Sequence, residues 1–268
     1  MATNLTKVWT FIIVTSFLIL ALGYHLGDRV GLLAAFAIAI AINTLVFFFG
    51  DDRLLLQLRA QEIKGQDAYG ALKVANELCR KLQLEAPRVF VFESHSPTSF
   101  CVGHSWQQGS LVLSSSLFKK LSEPEIRAVL AYQLCRFNHL DTFRYSVSST
   151  FANTLVGLGE FLDRVLPVSI FTHLFSPFGW LIVKSITSEK SYFVNDEKAA
   201  KLIEDRYLMA KTLWKLNAYA HSLPLAIPAC SNHLFIVDPN NLHQNNIFLK
   251  SHPSIKRRIT KLMGYYPL

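Results

Sequence analysis

Residues 128–141 read AVLAYQLCRFNHLD. Just upstream, Ser122 with Glu125 three residues later forms a capping box, and Pro124 sits in the first turn, so a helix opens here. On that helix the i, i+4, i+7 rule puts Tyr132, Arg136 and His139 on one face. Two histidines four apart, with a glutamate after the first, would hold a metal at this register as H-E-x-x-H. The corresponding places hold Tyr132, Gln133 and Arg136.

Upstream of it, residues 67–84 (DAYGALKVANELCRKLQL) place Leu72, Ala75, Leu78, Cys79 and Leu82 on one face of an amphipathic helix, which Pro87 ends. RVFVFES (88–94) then reads as a short strand, HSPTSFCVGHS (95–105) as a loop, and the stretch around SLVLSSS (110–116) as a second strand.

The N-terminal part reads differently. WTFIIVTSFLILALG (9–23) and VGLLAAFAIAIAINTLVFFFG (30–50) are uncharged apolar runs, and the second is long enough to cross a hydrocarbon core of about 30 Å. The first has the charge pattern of a signal peptide, but no A-x-A-like site follows it. The short link YHLGDR (24–29) makes the two runs a helical hairpin. Lys7 before it and Arg53 and Arg59 after it, against Arg29 in the link, favour a cytoplasmic main domain. A third apolar region, 146–186, is interrupted by Glu160, Asp163 and Arg164. It reads as membrane-embedded, as a second hairpin with those charges at its turn, two short tilted spans or a re-entrant amphipathic pair, or alternatively as a buried helical core.

Hydrophobic residues make up 51% of the 268, and the mean hydropathy is +0.26, high for a soluble chain. The net charge of +8 comes without a basic run of five; Lys256, Arg257 and Arg258 are the densest cluster. That argues against nucleic acid and for a membrane-proximal domain. Cys79, Cys101, Cys135 and Cys230 are scattered without a C-x-x-C, the pattern of reduced thiols.

In this order the pieces resemble the HtpX-like integral-membrane zinc metallopeptidases, relatives of the CAAX-prenyl endopeptidases. The resemblance rests on the hairpin, TSFCVG, LSSSLFKKLSEPEIRAVLAYQL, the apolar insertion, SYFVNDEKAAKL, LFIVDP and KSHPSIKRRITKL. It implies an α+β, mainly helical, zincin-type domain with a small sheet. The segments are 1–53 as transmembrane hairpin, 54–145 and 188–268 as the two halves of the domain, and 146–187 as a second membrane-embedded insertion. It also implies a multi-pass protein of the bacterial inner membrane.

The family's chemistry, carried over by position, fails here. The two zinc histidines fall on Tyr132 and Arg136, the general-base glutamate on Gln133, and the third ligand on Tyr192; Asp196 retains the family aspartate. Zinc takes imidazole, thiolate or carboxylate, and an amide cannot accept water's proton. A guanidinium brings a permanent cation to a cation's place. No cofactor is therefore expected, unless Cys135, His139 or His252, with His104 near the loop, rebuild a zinc site. Arg136 is expected to pair with Asp196, with Tyr132 and Tyr192 completing a metal-free plug. Asp141 reads as a turn residue after the helix.

The functional expectation is a membrane-anchored pseudoprotease that binds or regulates membrane proteins or their quality control. Its partners would be the bilayer and a membrane-protein or peptide segment, taken into a groove of Ser99, Phe100, Cys101, Val102, Gly103, His252 and Arg258. The alternatives are a hydrolase with rearranged chemistry, using Cys101 or one of Ser114, Ser115 and Ser116, and a structural subunit of a membrane complex.

Overall fold

The computed structural model describes residues 2–49, 52–65, 67, 69–103, 109–138, 141–240 and 252–266. Helix α1 (Ala2–Phe49) breaks at Gly27 and Asp28, where Asp28 takes a φ of 48°, and the chain doubles back. The two arms meet at Gly23 and Gly31. A Cβ on Gly31 would lie 2.1 Å from the Gly23 carbonyl oxygen, so the crossing admits only hydrogen there. Farther along, Asn43 Nδ2 donates to Ser16 Oγ at 3.0 Å, and Ala35 and Ala39 are buried. The outward faces carry exposed Phe17, Leu26, Val30 and Leu33. The stretch Ile12–Thr44 is long and apolar enough, by length and composition, to cross a membrane.

Short helix α2 (Asp52–Gln57) and strand β1 (Gln61–Glu62) lead to α3 (Ala71–Leu82). Three strands follow: β2 (Arg88–Phe92), β3 (Ser99–Gly103) and β4 (Gly109–Ser114). The sheet order is β1-β2-β4-β3, with β2 and β4 parallel and the other pairs antiparallel. The TSFCVG stretch, read as a loop, is thus an edge strand. Its alternation explains why: Cys101 faces the core of α3 and α5, while Phe100 and Val102 face a second core with Phe92, Tyr145 and Phe235. On β4, Leu111 and Leu113 alternate with Val112 in the same way, so the sheet is buried on both faces.

Helix α4 (Ser115–Lys120) leads into α5 (Glu123–Asn138), where the Ser122 amide donates to Glu125 Oε2 at 2.8 Å, half of the capping box. Helices α6 (Asp141–Val165) and α7 (Phe171–Ile186) form a second hairpin. Its turn is not at 160–164. The Asp163 carboxylate instead accepts from the amides of Phe171 and Thr172 at 2.8 and 2.9 Å, capping α7, so α6 runs on through the charged positions. Phe143, Val147 and Phe151 of α6 pack against Ile12 and Ile42 of α1, and the far half of the hairpin exposes Phe161, Ile170 and Leu181. Then come α8 (Glu189–Ile203), α9 (Arg206–Ser222), a 3-10 turn (Ala229–Leu234) and α10 (Ile255–Met263). Mainly helical with one small sheet, the architecture is α+β.

Candidate functional site

Helix α5 presents Tyr132, Gln133 and Arg136, all three at 0% exposure. Tyr192 and Asp196 of α8 face them from across the core, and Arg258 arrives from α10. The six residues lie between the sheet and α8, where the motif register had put a metal.

Gln133 ties the helix to the edge strand. Its Nε2 donates to both the carbonyl oxygen and Oγ of Ser99, each at 2.9 Å. A carboxylate could accept from the Ser99 hydroxyl but has no hydrogen to give the Ser99 carbonyl, so the amide here makes a contact that the general-base glutamate could not.

Among the described residues Arg136 has no carboxylate partner. Nη1 donates to the Leu234 carbonyl oxygen and reaches Gln133 Oε1 at 3.4 Å, and Nη2 donates to the His233 carbonyl at 3.3 Å. Its guanidinium carbon lies 4.8 Å from the centre of the Tyr145 ring. Carbonyl dipoles and a ring face therefore offset the desolvation of a buried cation. The expected Arg136–Asp196 pair is not formed. Asp196 is held by Arg258 through two parallel contacts, Nε to Oδ2 at 2.8 Å and Nη2 to Oδ1 at 2.6 Å, while Nη1 donates to the Ile236 carbonyl at 2.6 Å. Tyr132 and Tyr192 flank that guanidinium at 5.2 and 5.5 Å. The two tyrosines do line the cluster, but the cation they flank is Arg258. Arg136 lost the competition because Arg258 meets the carboxylate with a planar two-pronged fit.

The donor set does not fit zinc. Burial pushes the Tyr132 and Tyr192 phenols up, so both stay neutral, and Arg136 is a fixed cation at the position of a ligand. Among the described residues no three His, Cys, Asp or Glu side chains converge. Cys135 belongs to the apolar core, its thiol pushed up to about 12 by burial. His252 gives Nε2 to the Phe235 carbonyl at 3.0 Å and sits 4.9 Å from the Tyr192 ring. His104 and His139 lie outside the described residues.

The remaining candidates are placed as follows. Ser99, Phe100, Cys101, Val102 and Gly103 are all buried, and Val102 lines a cavity bordered by Arg53, Ser146 and Ser231. The edge of β3 is taken by the chain itself: Phe235 bridges Phe100, the Ile236 amide donates to the Ser99 carbonyl at 3.3 Å, and Ser146 Oγ accepts from the Gly103 amide at 3.1 Å. Arg258 is held by its ion pair at the wall of a separate cavity that it borders with Asp196, Glu197 and Lys261. Burial pushes the Cys101 thiol far up, leaving it a poor nucleophile. Ser114 Oγ accepts from the Thr98 amide and Ser115 Oγ donates to Glu93, turn-stabilising roles with no histidine among these contacts. Asp141 does not end α5; it opens α6, accepting from Ser191 Oγ and from Asn195 Nδ2 and pairing with Arg144 at 3.0 Å.

His233 is the residue that sequence reasoning missed. It is fully buried beside Arg136, with Nε2 at 3.0 Å from the Tyr145 carbonyl. A carbonyl only accepts, so a hydrogen is on Nε2, and burial keeps the ring neutral. Burial holds its pKa down at about 3.

Residues 70–265 match the model of Peptidase family M48. The chain is 22% identical over 275 residues to the "Protease HtpX homolog" of Pelotomaculum thermopropionicum, covering 97% of this chain and 98% of that one. It is 25% identical over 280 residues to the homologue of the same description from Methylibium petroleiphilum, covering 98% of each. Among solved structures, S. mikatae Ste24p superposes with a TM-score of 0.50 at 17% identity. The match covers 97% of this chain and 65% of that one, a likeness of fold.

Proposed function

From the premise that this chain belongs to peptidase family M48, we propose that it is a member without hydrolytic chemistry, a membrane-anchored pseudoprotease that binds or regulates other membrane proteins. The observation that carries this reading is Arg136, buried at 0% exposure and fastened to the carbonyls of residues 233 and 234. A water-activating metal needs anionic or neutral donors and an open coordination position. Here a permanent cation, two neutral phenols and an amide already engaged with Ser99 stand at the corresponding places.

Anchoring falls to the hairpins. Leu26 at 84% and Val30 at 78% exposure, with Phe17 and Leu33, give α1 an outer face too apolar for water. Phe161, Ile170 and Leu181 do the same for α6 and α7. With Lys7, Arg53 and Arg59 on one side of α1, the main domain lies in the cytoplasm of a bacterial inner-membrane protein. Because the β3 edge is already paired, a partner is engaged through the hairpin faces.

The test is metal analysis of the purified full chain together with a cleavage assay on an unfolded membrane-protein substrate. About one tightly held zinc per chain with cleavage would sink the reading. No cleavage, with the chain cross-linking to membrane proteins through the hairpins in native membranes, supports it.

A further inference from the structure

We propose that the cavity between α2, the 3-10 turn and α6 binds a zwitterionic amino-phosphate, the headgroup of a phosphatidylethanolamine-type lipid; the lipid source rests on the membrane anchoring above. The cavity holds about 220 Å³ and is lined by Arg53, Gln57, Ser146, Asn153, Glu160 and Ser231, among others. Arg53 follows directly on the apolar arms of α1, and Glu160 lies in the hairpin flanked by exposed Leu158 and Phe161. An acid and a base thus border one cavity at the level where the apolar surfaces begin. Both are exposed, and among the described residues neither belongs to an ion pair.

The polar lining supplies the rest. Ser146 Oγ accepts from the Gly103 amide at 3.1 Å, which leaves its own hydrogen to donate. Asn153 Nδ2 donates to Ser231 Oγ at 2.8 Å and to Ser149 Oγ at 3.2 Å, which leaves its amide oxygen to accept. Arg53 with a hydroxyl donor suits a phosphate; Glu160 with an amide oxygen suits an ammonium. A purely anionic headgroup would meet Glu160 as a like charge. A choline headgroup has no N–H to give it. The exposed Leu158 and Phe161 beside Glu160 offer apolar surface to acyl chains.

The test titrates the full chain in detergent with short-chain phosphatidylethanolamine, phosphatidylcholine and phosphatidylglycerol, reading binding by native mass spectrometry. Phosphatidylethanolamine should bind about tenfold tighter than phosphatidylcholine, the size of one charge-assisted hydrogen bond. Glu160→Gln should erase that preference, and Arg53→Gln should weaken both lipids alike. Equal binding of all three lipids, or a Glu160→Gln chain that keeps the preference, overturns the site. Displacement by soluble phosphoethanolamine alone would assign the same chemistry to a free ligand, whereas failure to displace assigns it to the lipid. Flotation with vesicles tests anchoring separately. A chain that floats with no vesicle defeats the anchoring reading, and the detergent titration still decides the cavity.

Discussion

Arg258 and Asp196 meet through two parallel N–H···O contacts, at 2.8 and 2.6 Å, with the side chains at 0% and 2% exposure. The pair joins α10 to α8 across 62 residues of sequence and is roofed by two tyrosine rings. Removing one partner leaves the other charge buried and alone. Asp196→Ala should therefore lower unfolding stability by roughly 3–5 kcal/mol. Replacing both residues with apolar ones of similar volume should cost less than the single change. Denaturant midpoints of the three proteins check this; a single-variant loss under about 1 kcal/mol would refute the buried pair.

Arg136 fastens the 233–236 segment over the β3 edge through the carbonyls of Leu234 and His233. Arg136→Ala leaves those acceptors unsatisfied and should cost about 2–4 kcal/mol. The cost should appear locally as well. The Ile236 amide, donor to Ser99, should exchange its hydrogen faster, while amides within the core of α3 should not. Unchanged exchange at Ile236 would show that the segment is held by Phe235 packing alone.

The sequence made helix α5 and the register of its replaced ligands plain, because capping and periodicity are local. So too were the folded-back α1 and the short strands β2 and β4. What was not legible depended on distant partners. Asp196 was assigned to Arg136 because both lie at positions the family places together. Arg258 is read as a groove residue and not as the partner of Asp196, although it shares the apolar face of α10 with Ile255, Ile259 and Leu262, an unusual place for an arginine unless it is paired. His233 gave no signal at all: it sits in the short 3-10 turn, without helical spacing to any other site residue. Residues 99–103, read as a loop, form a strand because the alternation of Phe100, Cys101 and Val102 places their side chains in two cores.

Returning the family residues tests how far the backbone still remembers a metal. Tyr132→His, Gln133→Glu, Arg136→His and Tyr192→Glu together replace one cation, two phenols and an amide by two imidazoles and two carboxylates. The fourfold variant should take up about one zinc per chain, with a stability that rises with free zinc by mass action. Arg136→His alone should not. A fourfold variant that folds, as judged by its cooperative unfolding, but takes up no zinc would show that α5 and α8 have moved apart.

Acid should weaken the protein through His233. Its pKa falls from 6.5 to about 3 on folding, because burial opposes charge and Arg136 lies close by. His252 falls likewise to about 3, burial again leading. Between those values the unfolded chain binds protons that the folded chain refuses. Stability is therefore complete above about pH 6.5 and drains away as pH falls toward 3, by up to about 1.4 kcal/mol per pH unit for each histidine. The two rings are separable. His233→Gln keeps a donor for the Tyr145 carbonyl but removes the titration, so the slope of stability against pH between about 5 and 6.5 should fall toward that of one histidine. Carboxylates contribute little in that window, since their ordinary values lie near 4. Unfolding midpoints of the two proteins across it make the measurement. An identical slope in both would mean that His233 is not the buried neutral ring that its contact with Tyr145 describes.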